Sequence, residues 1–534
     1  MVSLPSTTLR PATRSPLCIS SPMNIAEKFE YEDGPQHKGD VAAGTISAEE
    51  LSPEDNKRLL RRIDMLLPVM ALSYMFQFLD KSAIGFTAVL GLLQDLRLSG
   101  EDFSWASGIY YFGYLIASYP AAILMVRWRV GKTIAVAVYV PVDSPLALAR
   151  IANIFVICSV LWGVVLMLTA VTSNSAGLLA VRFFLGVCEA PIAPGLTVVI
   201  SMWYTRSEQP LRHAAWFMGN SAAGIFGGLA AYGIGHIDSI APWKAVFLIF
   251  GGATVAWSVG IFLLLPDVPM TAWFLTEVDR IKAITRVREN MTGIKSDQFK
   301  WQQCREALLD VNTWFIVVIQ LCGNIPNGGV HSFGSMVIEG LGFDTFPTLL
   351  LQSGSYLVQL VLVLVATAGS TYLRNTRTYF MTFNFAISAV GCAMVRQCPA
   401  DEKWARYAGY CLVLGFSANF PLIMAMTSGN FGGFTKKMTV NATCFIAYCV
   451  GNTIGPQLFF AKEAPTYTSG FLSMLVCFGV GFVTCITLRL NLIWENRRRD
   501  QAGGAALESE TDTGVMLNMM DKTDREIPQF RYVY

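Results

Sequence analysis

The sequence predicts an all-α membrane protein whose twelve transmembrane helices form two six-helix halves. Of its 534 residues, 53% are apolar and only 15% are charged, against about 25% charged residues in a typical soluble protein. Apolar stretches of about 18 residues or more, long enough to span a bilayer, recur between residues 66 and 493. One long charged loop divides these stretches into six and six, which predicts the two halves.

Windowed hydropathy places the twelve segments along the chain. They lie near residues 66–90, 103–126, 152–171, 176–202, 211–234, 243–265, 313–338, 347–368, 378–395, 404–428, 438–460 and 469–493. The loop at 266–312 carries the densest charge, including Arg280 and Glu289. We therefore expect an N-terminal half at 56–265, this central loop, and a C-terminal half at 313–495.

Both termini are predicted to be cytoplasmic. With the N-terminus inside, the inner segments carry twenty-four Lys and Arg and the outer segments six, and positive charge collects on the cytoplasmic side. The tail at 1–55, with its many Pro, Ser and Thr residues, lacks the apolar core of a cleaved signal peptide. We expect this tail to be disordered. The C-terminal tail at 496–534 is polar, and we expect residues 500–534 of it to be disordered as well.

Residues 133–151 form an atypical insertion before the third helix. Pro141, Asp143, Pro145 and Arg150 interrupt what would otherwise be a helix there. We interpret the segment as an inserted loop or as an error of the gene model, such as a retained intron. A regulatory segment is the alternative, and we assign the insertion no function.

Several classes of function are disfavoured by composition and by missing motifs. A net charge of +2 offers no basic surface for nucleic acid. The Cys residues show no CxxC spacing and the four His lie in separate segments, so we expect no metal site. No phosphate-binding Gly loop and no nucleophile elbow occurs. The sequence therefore predicts no cofactor and no enzyme, and leaves an ion gradient or the substrate's own gradient to drive transport.

Four ionisable residues inside the predicted spans are conspicuous. Asp80 and Lys81 are neighbours in the first helix, and Arg182 and Glu189 lie two turns apart on one face of the fourth. Each costs about 2.5–3.5 kcal/mol on insertion scales, so such residues are candidates for function. They could be static salt bridges that tie the two helices together. Alternatively, protonation of one acid would leave a spare cation, so that an organic anion binds together with a proton.

Polar amides inside the spans form a second set of candidates. The run Asn324-Ile325-Pro326-Asn327-Gly328-Gly329 is the strongest, because Pro and paired Gly are expected to break a helix where it lines a cavity. We take Asn324, Asn327 and Gln352 as candidate substrate contacts. Hydrogen bonding between helices is the alternative role for each of them.

Short motifs spread over residues 57–500 together point to one family. They are Gln77 to Lys81, Arg182 to Gly195, Ser201 to Thr205, Glu208 to Arg212, Trp301 with Glu306 to Leu308, Ile325 to Gly329, Lys436 and Lys437 with Asn441, Gly451 to Gln457, and Trp494 to Arg499. In these residues the chain resembles the fungal allantoate permease group. That group belongs to the anion:cation symporter family of the major facilitator superfamily.

The resemblance implies proton-driven uptake of a small organic anion across the plasma membrane. Carried over by motif, it makes Asp80 and Glu189 the protonation sites, brings Lys81 to the substrate carboxylate, and pairs Arg182 with Asp80. Lys81 stands where better-understood relatives often have Arg, so the bidentate recognition that a guanidinium offers is lost.

The sequence as a whole predicts a multi-pass, monomeric, proton-coupled symporter of the major facilitator fold in the plasma membrane. Its partners would be lipid, protons and a carboxylate-bearing nutrient such as allantoate, ureidosuccinate, nicotinate or pantothenate. Asn324 and Asn327 would supply polar contacts from the second half. The alternatives are a transport-dead nutrient receptor that signals, a facilitator that runs without protons, and a membrane enzyme, for which no catalytic constellation is present.

Overall fold

All regular secondary structure that the computed structural model describes is helical. The structure describes residues 53–98, 101–137, 151–205, 208–266, 269, 272–291, 299–373, 375–501 and 521–534. The tail predicted at 1–55 lies almost wholly outside the described residues. Of the insertion at 133–151, residues 133–137 continue a helix and residue 151 begins the next one, and the part between them lies outside the described residues.

Besides a π-helical turn at Ala88–Leu92 and a 3-10 turn at Thr169–Val171, the described residues of the N-terminal half contain ten α-helices. They are α1 Pro53–Ile63, α2 Leu66–Thr87, α3 Leu93–Asp95, α4 Asp102–Ala137, α5 Ile151–Leu168, α6 Ser175–Glu189, α7 Ile192–Trp203, α8 Gln209–Phe217, α9 Gly219–Ile234 and α10 Pro242–Leu264. The predicted fourth span is thus divided into α6 and α7, and the fifth into α8 and α9.

The central loop and the C-terminal half contribute nine more helices. They are α11 Glu277–Met291, α12 Trp301–Leu309, α13 Val311–Gly340, α14 Thr345–Tyr372, α15 Arg377–Gln397, α16 Lys403–Val413, α17 Asn419–Asn430, α18 Phe434–Gln457 and α19 Thr468–Gln501. The predicted central loop therefore holds two helices, of which α12 meets α13 at a bend of 65°.

By length and apolar composition, six helices or continuous helical runs among the described residues could cross a membrane, or seven if α12 and α13 count as one bent span. The other predicted segments are also largely helical where the structure describes them. Large apolar side chains such as Ile116, Leu263 and Val483 are 60–64% exposed on the bundle surface, as suits contact with lipid. Twelve spans and the cytoplasmic position of the termini stay predictions.

The most extensive contacts between the two halves join three helix pairs: α2 with α13, α4 with α18, and α9 with α14. Small residues allow these helices to approach closely. A methyl group added to Gly85 of α2 would lie 2.6 Å from the carbonyl oxygen of His331 in α13, and one added to Gly228 of α9 would lie 2.6 Å from that of Leu349 in α14. The halves are therefore in tight backbone contact at these points.

We name the two ends of the bundle by their residues. The basal end contains Ile63, Arg212, Lys436 and Arg499, and the apical end contains Asp95, His236 and Glu463. The His236 ring of the N-terminal half stacks on Phe346 of the C-terminal half at 4.2 Å between centroids. Together with the contacts of Gly85 and Gly228, this stack closes the apical side between the halves.

The expected helix break at Asn324 to Gly329 is not present. The helix α13 continues through Pro326 from Val311 to Gly340. The paired glycines instead make room for close packing, because Gly328 lies against the backbone of Asn452 and Gly329 against the ring of Phe459. The prediction of a broken helix is wrong because α18 packs closely along the proline-containing turn, where Gly455 lies against the carbonyl of Ile325.

The C-terminal tail is only partly as expected. The helix α19 continues to Gln501, and residues 521–534 pack on the basal end of the C-terminal half. Asn430 pairs with the backbone of Val533 through two hydrogen bonds of 2.7 Å. The expectation of disorder is wrong for 521–534, because buried hydrogen bonds and ion pairs compensate the polar composition; residues 502–520 lie outside the described part of the chain.

Candidate functional site

A cavity of about 390 Å³ lies between the two halves, and we call it the main cavity. It is lined by Tyr74, Gln77, Phe78, Lys81, Tyr110, Tyr114, Ala193, Thr197, Trp216, Gln320, Phe420, Ile423, Met424, Thr427, Asn441, Cys444, Phe445 and Tyr448. The helices α7, α8 and α17 and the start of α18, which supply part of the lining, form the basal halves of their predicted spans. The main cavity therefore lies on the basal side, below the closed apical contacts.

Lys81 is the one cationic side chain among the described residues that line the main cavity. Its Nζ donates a hydrogen bond to the hydroxyl of Tyr448 at 2.7 Å. The same Nζ lies 4.6 Å from the ring centroid of Tyr111 and 5.6 Å from that of Phe78. Aromatic faces stabilise a cation without neutralising it, so the charge stays available to an anion in the cavity.

Asp80 faces away from the main cavity. Adjacent residues of an α-helix point about 100° apart, so the neighbour of Lys81 turns towards α10. There Oδ2 of Asp80 accepts a hydrogen bond from Thr254 at 2.8 Å. The side chain is fully buried, and Oδ1 has no hydrogen-bond partner among the described residues. Asp80 is thus a buried carboxyl that the hydroxyl of Thr254 holds, with the indole of Trp162 beside it.

Glu189 lies at the end of α6, whose first turn is capped by Asn174, which accepts the N–H of Gly177 at 2.8 Å. Gly186 lets α6 pack directly on the backbone of Tyr110 in α4. Glu189, fully buried, accepts a hydrogen bond of 2.5 Å from the Tyr110 hydroxyl. Since Tyr110 lines the main cavity, Glu189 is one side chain removed from it.

Arg182 is 2% exposed and makes one long hydrogen bond, from Nη2 to the backbone carbonyl of Lys81 at 3.5 Å. Its Nε and Nη1 have no hydrogen-bond partner among the described residues. Arg182 therefore holds the backbone beside Lys81 and does not line the main cavity, where we expected a substrate contact.

No ion pair joins Asp80, Lys81, Arg182 and Glu189 to one another or to any other described residue. Arg182 and Asp80, which the resemblance implied would pair, form no direct ion pair, because Asp80 turns to Thr254; their charges interact at longer range. The reading of the four charges as static salt bridges also finds no support in the described residues.

The predicted amides meet in a side pocket of about 40 Å³ beside the main cavity. Asn452 of α18 connects them: its Nδ2 donates to Oδ1 of Asn324 at 3.0 Å, and its Oδ1 accepts from Nδ2 of Asn327 at 2.7 Å. Gln352 is elsewhere, paired with the hydroxyl of Tyr410, and lines neither cavity.

Sequence reasoning missed Thr254 and Tyr448. Thr254 carries no signal of its own in an apolar helix. Tyr448 could have been found, because Asn441, Tyr448 and Asn452 follow one another at spacings of seven and four residues and so share one face of α18. A polar stripe of this kind on an apolar helix indicates a cavity wall.

Comparison with known proteins places the chain in a family. The family model described as Major Facilitator Superfamily matches residues 70–456. An uncharacterised transporter of Schizosaccharomyces pombe is 33% identical over 96% of this chain and 99% of its own length. The allantoate permease of Saccharomyces cerevisiae is 31% identical over 90% of this chain and 87% of its own length. A thiamine pathway transporter of the same yeast is 29% identical over 94% of this chain and 91% of its own length.

Solved structures agree on the fold. A bacterial homologue of the human lysosomal transporter Spinster, crystallised in an inward-facing and unoccupied conformation, covers 80% of this chain and 96% of its own, with a TM-score of 0.53 and 13% identity. Together with the family match, this confirms the resemblance drawn from the motifs and the all-helical transporter fold. The chain belongs to the major facilitator superfamily of multi-pass membrane transporters.

Proposed function

We propose that this transporter is a symporter that imports a small organic anion together with protons. The observation that carries the proposal is the state of its buried charges. Lys81 faces the main cavity without a carboxylate in direct contact, while Asp80 and Glu189 are buried close by without a cation in direct contact. Unpaired ionisable groups are costly inside a membrane protein and are retained where they act on substrates or protons.

The division of roles follows from position. Lys81 can reach a ligand directly and would bind the carboxylate of the substrate. Glu189 communicates with the main cavity through the hydroxyl of Tyr110, and Asp80 lies behind Lys81, so these two would carry the proton. A proton on either carboxyl removes one negative charge from the cluster, which leaves the cationic charge of Lys81 and Arg182 in excess and favours an incoming anion.

The amides of the second half support recognition of the rest of the substrate. The chain of Asn327, Asn452 and Asn324 offers donors and acceptors next to the main cavity without adding charge. With the termini in the cytoplasm, the basal side would be the cytoplasmic side, and a basal cavity below closed apical contacts would be the release state of an importer.

Uptake by cells that lack their own carriers tests the proposal. Labelled allantoate, nicotinate, pantothenate and dipeptides are offered at about pH 5 and about pH 7.5. We expect one of the anions to accumulate more strongly at the lower pH and a proton ionophore to stop its accumulation, because the gradient supplies the driving force. Accumulation that is indifferent to the ionophore would leave a facilitator. Binding without accumulation in liposomes would leave a receptor.

A further inference from the structure

We infer that Tyr448 is the ligand of the C-terminal half for the substrate carboxylate, and that it forms with Lys81 one anion site that bridges the two halves. The inference rests on the proposed function of Lys81 and assigns its partner. Lys81 belongs to α2 and Tyr448 to α18, and their side chains meet at 2.7 Å in the wall of the main cavity.

The hydrogen-bond inventory of the pair leaves room for a ligand. The Tyr448 hydroxyl accepts from Lys81, so its own proton is free to donate, and no acceptor for that proton occurs among the described residues. An ammonium group has three N–H donors, and Lys81 gives one of them to Tyr448. A carboxylate has two oxygens and can accept from the ammonium and from the phenol at once.

The phenol ring is held in place for this role. It lies parallel to Phe445 at 6.2 Å and edge-on to Tyr111 at 6.0 Å. The residue lines the side pocket as well as the main cavity, so a carboxylate at its hydroxyl would be adjacent to the amides. A rigid ring loses little conformational entropy when a ligand binds.

The bridging position links occupancy to the arrangement of the halves. Each half supplies one donor to the same carboxylate, so the ligand binds with both donors only while α2 and α18 are in contact. A movement that separates them at this level would remove one of the two hydrogen bonds. The anion would then be held by Lys81 alone, and its affinity would fall.

Binding to the purified full-length protein tests the inference separately from transport. Equilibrium binding of labelled allantoate, nicotinate, pantothenate and benzoate is measured for the native protein and for Tyr448→Phe. We expect the acid that binds most tightly to lose affinity by about tenfold in Tyr448→Phe, as for one hydrogen bond to a charged group. Tyr448→His, which restores a ring N–H donor, should recover part of the loss.

Tyr407→Phe is the matched control. Its hydroxyl donates to the backbone carbonyl of Leu351 within the C-terminal half at 2.7 Å and lines neither cavity, so its loss should leave the dissociation constant unchanged. If the hydrogen bond between Lys81 and Tyr448 only held the halves together, Tyr448→Phe would change the thermal unfolding midpoint without changing the affinity for the acid. That result would overturn the inference. Failure of every acid to bind the native protein would overturn it too.

The outcomes separate this inference from the proposed function. In one outcome an acid binds, Tyr448→Phe weakens its binding, and no proton-driven uptake occurs. The anion site is then supported and the symporter proposal is refuted. In the other outcome proton-driven uptake occurs and Tyr448→Phe keeps the native affinity. The symporter proposal is then supported and the role of Tyr448 as a ligand is refuted.

Discussion

Two clusters of buried charge, one in each half of the molecule, are built in opposite ways. In the N-terminal half, Asp80, Arg182 and Glu189 are at most 2% exposed and none has an ion-pair partner among the described residues. In the C-terminal half the fully buried cation Lys436 meets three carboxylates. Glu306 lies 3.0 Å, Asp310 2.8 Å and Asp524 2.7 Å from its Nζ.

The difference teaches how to distinguish a functional charge from a structural one. A buried cation surrounded by carboxylates and hydrogen bonds is stable in one protonation state and holds elements together. Lys436 joins α18 to α12 and to the C-terminal segment in this way. Buried charges without ion-pair partners gain no stability from pairing. Their presence in the N-terminal half is explained if they bind a ligand or a proton.

The largest expected effect concerns transport. Asp80→Asn and Glu189→Gln keep the size of each side chain and remove its ability to exchange a proton. We expect each to reduce proton-driven accumulation by at least about tenfold, within the usual range for loss of a proton-transfer group. Labelled uptake at about pH 5 measures it.

Asp238→Asn serves as the control for these two variants, because Asp238 is an exposed acid near the apical end. It should transport as the native protein does. If Asp80→Asn and Glu189→Gln both retained uptake that depends on pH, neither carboxyl would carry the proton. The unpaired charges of the N-terminal half would then have no demonstrated role in transport.

The next effect concerns stability and differs in size between the two clusters. Lys436→Met leaves three carboxylates around an apolar side chain, and breaking such a buried cluster costs about 3–5 kcal/mol. Lys81→Met removes a charge without an ion-pair partner, so we expect its free energy of unfolding to change by less than about 1 kcal/mol. Thermal unfolding of both purified variants measures the two losses of stability. Equal losses would contradict the distinction between paired and unpaired buried charges.

A smaller loss should follow from one hydroxyl of the C-terminal segment. Tyr532 donates to Asp524 at 2.7 Å and accepts from Arg499 at 2.9 Å. Tyr532→Phe removes both hydrogen bonds, and we expect a loss of about 1–2 kcal/mol in the free energy of unfolding. Tyr372→Phe, at a residue that is 86% exposed, should lose almost nothing. If Tyr532→Phe unfolded at the native midpoint, the C-terminal segment would contribute little to the stability of the protein.

The smallest effect is the pH dependence of the stability that Lys436 and its carboxylate partners contribute. Lys436 precedes the eleventh predicted span, and although burial lowers its pKa, the charges of Asp524 and Asp310 outweigh burial and raise it above 10.5. A raised pKa contributes stability below the unfolded value and loses it as the pH rises through the folded value. The contribution of Lys436 should therefore stay constant between about pH 7 and pH 9 and fall only above 10.5. A decline already at about pH 8 would contradict it.

The all-helical fold was predictable from sequence because the length of an apolar stretch reports directly on the surroundings of a helix. What failed were local exceptions. Pro326 stays inside a continuous α13, because α18 packs against that turn. Residues 521–534 pack in spite of their polar composition, because Asp524 meets Lys436 across 88 residues of chain. Hydropathy averages over neighbours in sequence, so it cannot detect pairing between distant residues.

The site was predictable in kind but not in geometry. The cost of charge in lipid singled out Asp80, Lys81, Arg182 and Glu189, and the structure buries them or places them at the main cavity. Their directions could not be read, since a rotation of one residue along a helix moves a side chain from cavity to neighbouring helix. This is why Asp80 faces Thr254 while Lys81 faces the main cavity.

The chain of amides beside the side pocket has a fixed hydrogen-bond polarity. Asn452 donates from Nδ2 to the backbone carbonyl of Tyr448 at 2.9 Å, and Asn324 donates from Nδ2 to that of Gln320 at 2.7 Å. Rotating either amide by half a turn would set its oxygen against a backbone carbonyl oxygen and lose that hydrogen bond. A substrate that reaches these amides would therefore have to match one arrangement of donors and acceptors, which the backbones of α13 and α18 impose.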